Sequence, residues 1–211
     1  PDAQIDMTIE QLHRLSEGDK PFALFLSIGT PHDPWVSENV PPEYLERFKD
    51  KVFSLPSNYE PENDPHADDW AKLSEQERNE LTEWMRVYYA MTANLDDNIG
   101  RLRKAIEEMG LDDNTIFVFT SDHGELFGAH GRRAKNIFYE EAIRVPFLIR
   151  WKDELETGVS RDFILNTVDI MPSLLSLMGL PIPKEVEGID KSTNIRGETD
   201  TDDAALMMCC G

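Results

Sequence analysis

Residues 116–135 read IFVFTSDHGELFGAHGRRAK, a short apolar aromatic run followed at once by two histidines, three cations and three glycines. An apolar run of this length bounded by turn residues has the form of a strand buried on both faces, and such strands belong to sheets covered by helices. In open sheets of this kind ligands bind beyond the carboxyl ends of the strands, where the loops diverge. Residues 121–135 occupy that position. Asp122 and His123 are consecutive at the strand end, so one carboxylate and one imidazole meet where the chain turns, and an O and an N donor together suit a divalent cation. Two protein ligands are too few, so further ligands would come from elsewhere.

Working outward, the chain alternates helix and apolar strand. Apolar residues at Ile5, Ile9, Leu12 and Leu15 recur at helical spacing. Residues 22–28 (FALFLSI) then read as a second buried strand. Ser74 and Glu77 form a capping box ahead of Leu81, Trp84, Met85, Tyr88, Leu95, Ile99, Leu102, Ile106 and Met109, which predicts one long helix closed by Gly110. A strand over residues 145–151, a helix over 167–178 and a possible last strand over 204–210 complete the pattern. The fold class expected is α/β, a largely parallel sheet with helices on both faces. Between residues 29 and 73, prolines at 31, 34, 41, 42, 56, 61 and 65 leave room only for a brief helix near residues 43–49.

That long excursion begins with Pro31-His32-Asp33-Pro34, directly after the FALFLSI run. Flanking prolines restrict the backbone and hold the His32 imidazole in a fixed direction, as contact with a ligand requires. Each group has an ordinary reading by itself: Asp122 as a turn cap, His32 as a packed loop histidine, Arg132, Arg133 and Lys135 as solvated cations. Their convergence on one edge of one sheet carries the functional reading. The acidic group of Glu62, Asp64, His66, Asp68 and Asp69 reads as a solvated loop, Asp96 and Asp97 as exposed helix residues, Asp169 as a first-turn carboxylate, and residues 200–203 as a turn.

The 211 residues carry 41 acids against 21 bases, a net charge of −20, which repels nucleic acid and anionic lipid surfaces at long range. A small anionic substrate stays possible, because salt screens a distant field within about 10 Å. Cys209 and Cys210 are adjacent and form no disulfide framework, so the redox compartment stays open. The chain starts without Met, as though cut from a longer protein.

The order and spacing of Pro31-His32-Asp33-Pro34, Leu95-Asp96-Asp97-Asn98-Ile99-Gly100, residues 114–125, Gly128-Ala129-His130-Gly131, Lys135, Arg144-Val145-Pro146-Phe147 and residues 168–175 resemble the sulfatase family of the alkaline-phosphatase superfamily from about Pro21 to Gly188. The resemblance implies an alkaline-phosphatase-like α/β fold and hydrolysis of a sulfate ester at a divalent-metal site. It implies that Asp122 and His123 are metal ligands, and that Lys135 and His32 contact the sulfate, His32 also assisting the leaving group. It favours calcium, with magnesium or manganese as alternatives, and a sulfated small molecule or carbohydrate as substrate. An extracytoplasmic location is implied as well, with no nucleic-acid or membrane partner.

Family members carry a Cys- or Ser-x-Pro-x-Arg signature that becomes formylglycine, the nucleophile, in their N-terminal portion, and this sequence contains none. The expectation is therefore that residues 1–211 are the second half of a catalytic domain, without the nucleophile region and the C-terminal subdomain, and inactive alone. Phosphonate and phosphate diester hydrolases of the same superfamily share most of these residues, and a noncatalytic anion-binding module is a further alternative. His130 is expected to support its loop, and Trp35, Tyr44, Phe48, Tyr59 and Trp70 to form part of a pocket wall for a sugar ring.

Overall fold

The computed structural model describes residues 1–59 and 64–199. The expected strand over 204–210, the turn at 200–203 and Glu62 lie outside the described residues. The chain forms two compact units, one built from Pro1–Asp112 with Thr120–Pro146, the other from Asp113–Phe119 with the chain from Phe147 onward.

The first unit is organised by helix α3, Glu75–Glu108, whose 34 residues make a rod of about 50 Å. Ser74 and Glu77 close its N-terminus as the predicted capping box. Leu81, Met85, Met91, Leu95, Leu102 and Ile106 are buried along one helical stripe, and Ala90 is buried on the opposite side. Helix α1, Asp2–Ser16, packs on α3 through Ile5, Thr8 and Leu12. That contact also holds a polar ladder: Asn98 Nδ2 donates to Asn94 Oδ1 at 2.7 Å, and both amides donate to the Asp2 carboxylate at 3.2–3.3 Å. Helix α2, Pro42–Arg47, is the brief helix expected in the proline-rich excursion; Arg47 and Tyr44 both donate to Asp97 of α3. Asp97 is thus a tie to α2 as well as a surface residue.

The aromatic residues of the excursion pack the loop rather than wall a pocket. Trp35 and Tyr59 are buried in the core with Val40, Leu81, Met85 and Phe127, and Tyr44, Phe48 and Trp70 lie against that core. Large apolar rings gain more from the long apolar stripe of α3 than from water.

Residues 22–28 form no strand, which corrects the expectation for FALFLSI. A strand exists only through its ladder, and no strand pairs with this segment among the described residues; Phe25 is 95 % exposed. Gln4 Nε2, donating to the Ser27 carbonyl at 3.1 Å, is a side-chain tie to it.

Among the described residues two strands pair, both in the second unit: β1 (Ile116–Thr120, whose last residue begins the first unit's second segment) and β2 (Phe147–Trp151). Helix α5, Thr167–Leu177, follows; the chain then returns to it through α6, Ser192–Arg196. Asp169 is more than the expected helix-end charge. It is 2 % exposed, accepts the Asn166 and Ile189 amides, and so pins residue 189 to the start of α5. No helix among the described residues is long and apolar enough to cross a membrane.

Candidate metal and anion site

Two loops of the first unit build the site. The first, residues 29–36, is fixed by Trp35, whose indole N–H donates to the Pro31 carbonyl at 2.9 Å while its ring sits in the core; the Thr30-Pro31 and Asp33-Pro34 bonds are both cis. The second, residues 121–135, leaves β1 and is fixed by Phe127, which lies 4.5 Å from Trp35 and 4.9 Å from Tyr88 of α3 between ring centroids. Glu125 holds this loop closed by accepting the Ala134 amide at 2.9 Å, and the short helix α4, Glu140–Ile143, packs so close behind it that the Ala142 carbonyl accepts the Gly124 amide at 2.8 Å. The Trp35–Phe127 contact therefore sets the distance between the loops.

On that frame Lys135 Nζ lies 3.1 Å from His32 Nε2, although 103 residues separate them in sequence. The His32 and His123 rings stand edge to face at 6.4 Å. An ammonium group can only donate, so Nε2 of His32 accepts in this arrangement. Three of the four expected site residues thus meet directly, and the fourth, Asp122, joins them through His123.

The Asp122–His123 pair has the donor chemistry of half a metal site. Asp122 Oδ1 accepts the His123 amide at 3.0 Å, which leaves Oδ2 available and the side chain 86 % exposed. His123 Nδ1 donates to the Gly124 carbonyl at 2.8 Å, so its Nε2 presents a lone pair; outer hydrogen bonding of this kind orients metal-ligating histidines. Asp122 Oδ2 and His123 Nε2 stand 3.6 Å apart, the spacing of two neighbouring donors each about 2.4 Å from one cation. Among the described residues no group of three or more His, Cys, Asp or Glu side chains is arranged to hold a metal, so the pair fits a divalent ion only as part of a larger ligand set.

A second polar cluster lies behind the loop and was not legible from the sequence. Tyr139 donates its hydroxyl to both oxygens of Asp64 at 2.8 and 2.6 Å and stacks on His130 at 3.7 Å; Asn58 donates to His130 Nε2 and to Glu141, both at 3.0 Å. His130 adopts a left-handed backbone, φ 57°, inside the Gly-x-His-Gly turn. The Tyr139 hydrogen bond holds the Asp64 carboxyl below the ordinary aspartate value and pushes the Tyr139 phenol up. Burial raises Glu141, but the bonds from Asn58 and the nearby His130 outweigh it and leave it lowered. The solvated-loop reading of the acidic group fails here: Asp64 is bound to Tyr139, and Asp68 caps Trp70 through one oxygen and accepts the Arg133 amide through the other. Only its spacing from Tyr139, 75 residues away, hid the pairing. His130 supports its loop, as expected.

A strand-end acid and imidazole beside a lysine and a second histidine gather donors for a cation and a positive charge for an anion in one place. The chain belongs to the sulfatase family, whose model matches residues 2–180. It is 36 % identical over 212 residues to the ulvan-active sulfatase of Formosa agariphila, covering 99 % of this chain and 38 % of that protein. A crystal structure from Bacteroides fragilis superposes with a TM-score of 0.81 at 31 % identity, over 95 % of this chain and 42 % of the other. A solved complex with D-glucosamine-2-N,6-O-disulfate matches with a TM-score of 0.80 at 24 % identity, over 93 % and 52 %, and shows the same fold. The expected alkaline-phosphatase-like α/β fold is thereby shown, and the chain spans about two-fifths of the length of the curated relative it matches.

Proposed function

We propose that this chain supplies the anion-binding half of a sulfuric ester hydrolase site, acting on a sulfated carbohydrate. The observation that carries this is the 3.1 Å approach of Lys135 Nζ to His32 Nε2 beside the Asp122–His123 pair. A sulfate ester needs its developing negative charge neutralised at several oxygens at once, and donors fixed in advance do this without reorganisation. Lys135 contributes a full positive charge to one sulfuryl oxygen. With Lys135 turned to the sulfate, His32 takes a proton from solvent at Nε2 and gives it to the departing alkoxide. Asp122 and His123 would hold a divalent ion together with ligands from outside these residues; the family resemblance favours calcium, and its chemistry when bound is to polarise the sulfuryl oxygens.

The nucleophile is expected from a formylglycine signature in a preceding half of the catalytic domain, and residues 1–211 are then inactive alone. The substrate class rests on the names of the ulvan-active relative and of the disulfated-glucosamine complex. The test is sulfate release by the full-length protein that carries this chain. It is expected to release inorganic sulfate from a sulfated saccharide and to lose that activity on chelation of divalent ions, with recovery on adding calcium. Faster cleavage of a phosphonate or phosphate diester than of any sulfate ester would instead favour the related hydrolases of the superfamily; calcium and sulfate binding without turnover of any ester would favour a noncatalytic anion-binding module, and no binding of either a dead scaffold.

A further inference from the structure

We propose that Asp33 is a positioning residue that fixes the tautomer and direction of the His32 ring. The imidazole Nδ1 faces two acceptors of the same residue, the Asp33 carboxylate Oδ1 at 2.6 Å and the Asp33 carbonyl at 3.0 Å. Neither can donate, so Nδ1 carries the proton. On the other side of the ring, Lys135 can only donate to Nε2. Both nitrogens are therefore assigned by their neighbours, and Nε2 is the one turned toward Lys135.

The carboxylate is itself held from across the chain. Arg133 Nη2 reaches its second oxygen, Oδ2, at 3.4 Å, and the Arg133 guanidinium lies 5.7 Å from the centre of the Trp70 ring. Arg133 is thus no simple solvated cation: it anchors the residue that anchors His32. The groups around the imidazole are Asp33 with Arg133 behind it, Lys135, and His123 with Asp122 beyond it. Of these, only Asp33 places negative charge against Nδ1. The carboxylate thus holds the ring with Nδ1–H turned to Asp33 and Nε2 turned to Lys135. The consequence for turnover rests on the hydrolase reading above, whereas the ring geometry does not.

The test reads the tautomer in this chain without substrate. With ring nitrogens labelled with ¹⁵N, and the His32 signals assigned by their loss in His32→Gln, spectra near pH 8.5, about two units above the ordinary imidazole value, report which nitrogen is protonated. Wild type is expected to show the proton on Nδ1. Asp33→Ala is expected to lower the Nδ1-H to Nε2-H ratio on the order of tenfold, the effect of losing one charge-assisted hydrogen bond. Asp33→Asn keeps a neutral acceptor and should shift the ratio less, about threefold. Should Asp33→Ala fail to fold by its amide spectrum, the Asp33→Asn shift decides. A ratio unchanged in the folded variants, or a wild-type proton on Nε2, would overturn the proposal. Loss of sulfate-ester turnover as a property of the parent, with the tautomer shift intact, would instead remove the hydrolase reading and leave the role of Asp33 standing.

Discussion

Gly124 shows how little room single positions in this site have. A Cβ placed there would sit 1.9 Å from the Glu141 carbonyl oxygen, a backbone atom that cannot swing aside. Gly124→Ala should therefore push α4 away from the strand-end loop and cost about 1–3 kcal/mol, seen as a lowered thermal midpoint with weaker calcium binding in the full-length protein. Gly131 is constrained differently, by φ 63° and by Ala71, whose Cβ a new methyl would meet at 2.6 Å. Asp122, His123, His32 and Lys135 could be singled out in the sequence because each stands in a motif whose spacing is local, and the structure brings them together. The residues that hold them were less so. Asp33 and Arg133 form a pair across 100 positions, and no local pattern announces such a contact.

At the scale of elements, the site depends on two loops being pinned to one helix. Trp35 and Phe127 touch each other and the α3 stripe, so Trp35→Ala should cost about 3–5 kcal/mol and separate His32 from Lys135. Urea unfolding checks the first outcome; loss of the through-space coupling between the His32 ring and the Lys135 side chain in NMR spectra checks the second. The Asp64–Tyr139–His130 cluster should make the loop acid-sensitive. Because the folded Asp64 value is depressed, its contribution is present in full above the ordinary aspartate value near 3.9 and is lost as pH falls through the lower folded value. Amide exchange across residues 128–139 should accelerate as pH drops below about 4, beyond the intrinsic pH trend, and Asp64→Asn should already show the faster exchange at pH 6. Helices were readable from period and caps: α3 and α5 appear within about two residues of their expected bounds, and α1 begins three residues before its first expected apolar position. The FALFLSI strand was not, because apolar periodicity reports what a segment is suited to pair with, while pairing itself needs a neighbour.

For the molecule as a whole, the family accounts for the two-stranded sheet. A chain that spans about two-fifths of its relatives carries strands and apolar residues whose partners need not be among those described. Besides Phe25 in the first unit, Leu148, Val168, Met171 and Ile189 in the second are each more than half exposed. The composition argument against nucleic acid and membranes concerns long-range charge only; the site chemistry rests on a few cations brought to one place against a net charge of −20. The most direct measurement of the central claim is kcat/KM for sulfate release from a sulfated saccharide by the full-length protein, with Lys135→Ala set beside Lys152→Ala, a surface lysine paired with Asp113 in the second unit. The convergence of Lys135 with His32 predicts a loss of roughly 10²–10³-fold for Lys135→Ala and an unchanged rate for Lys152→Ala. Equal rates for the two variants would contradict it.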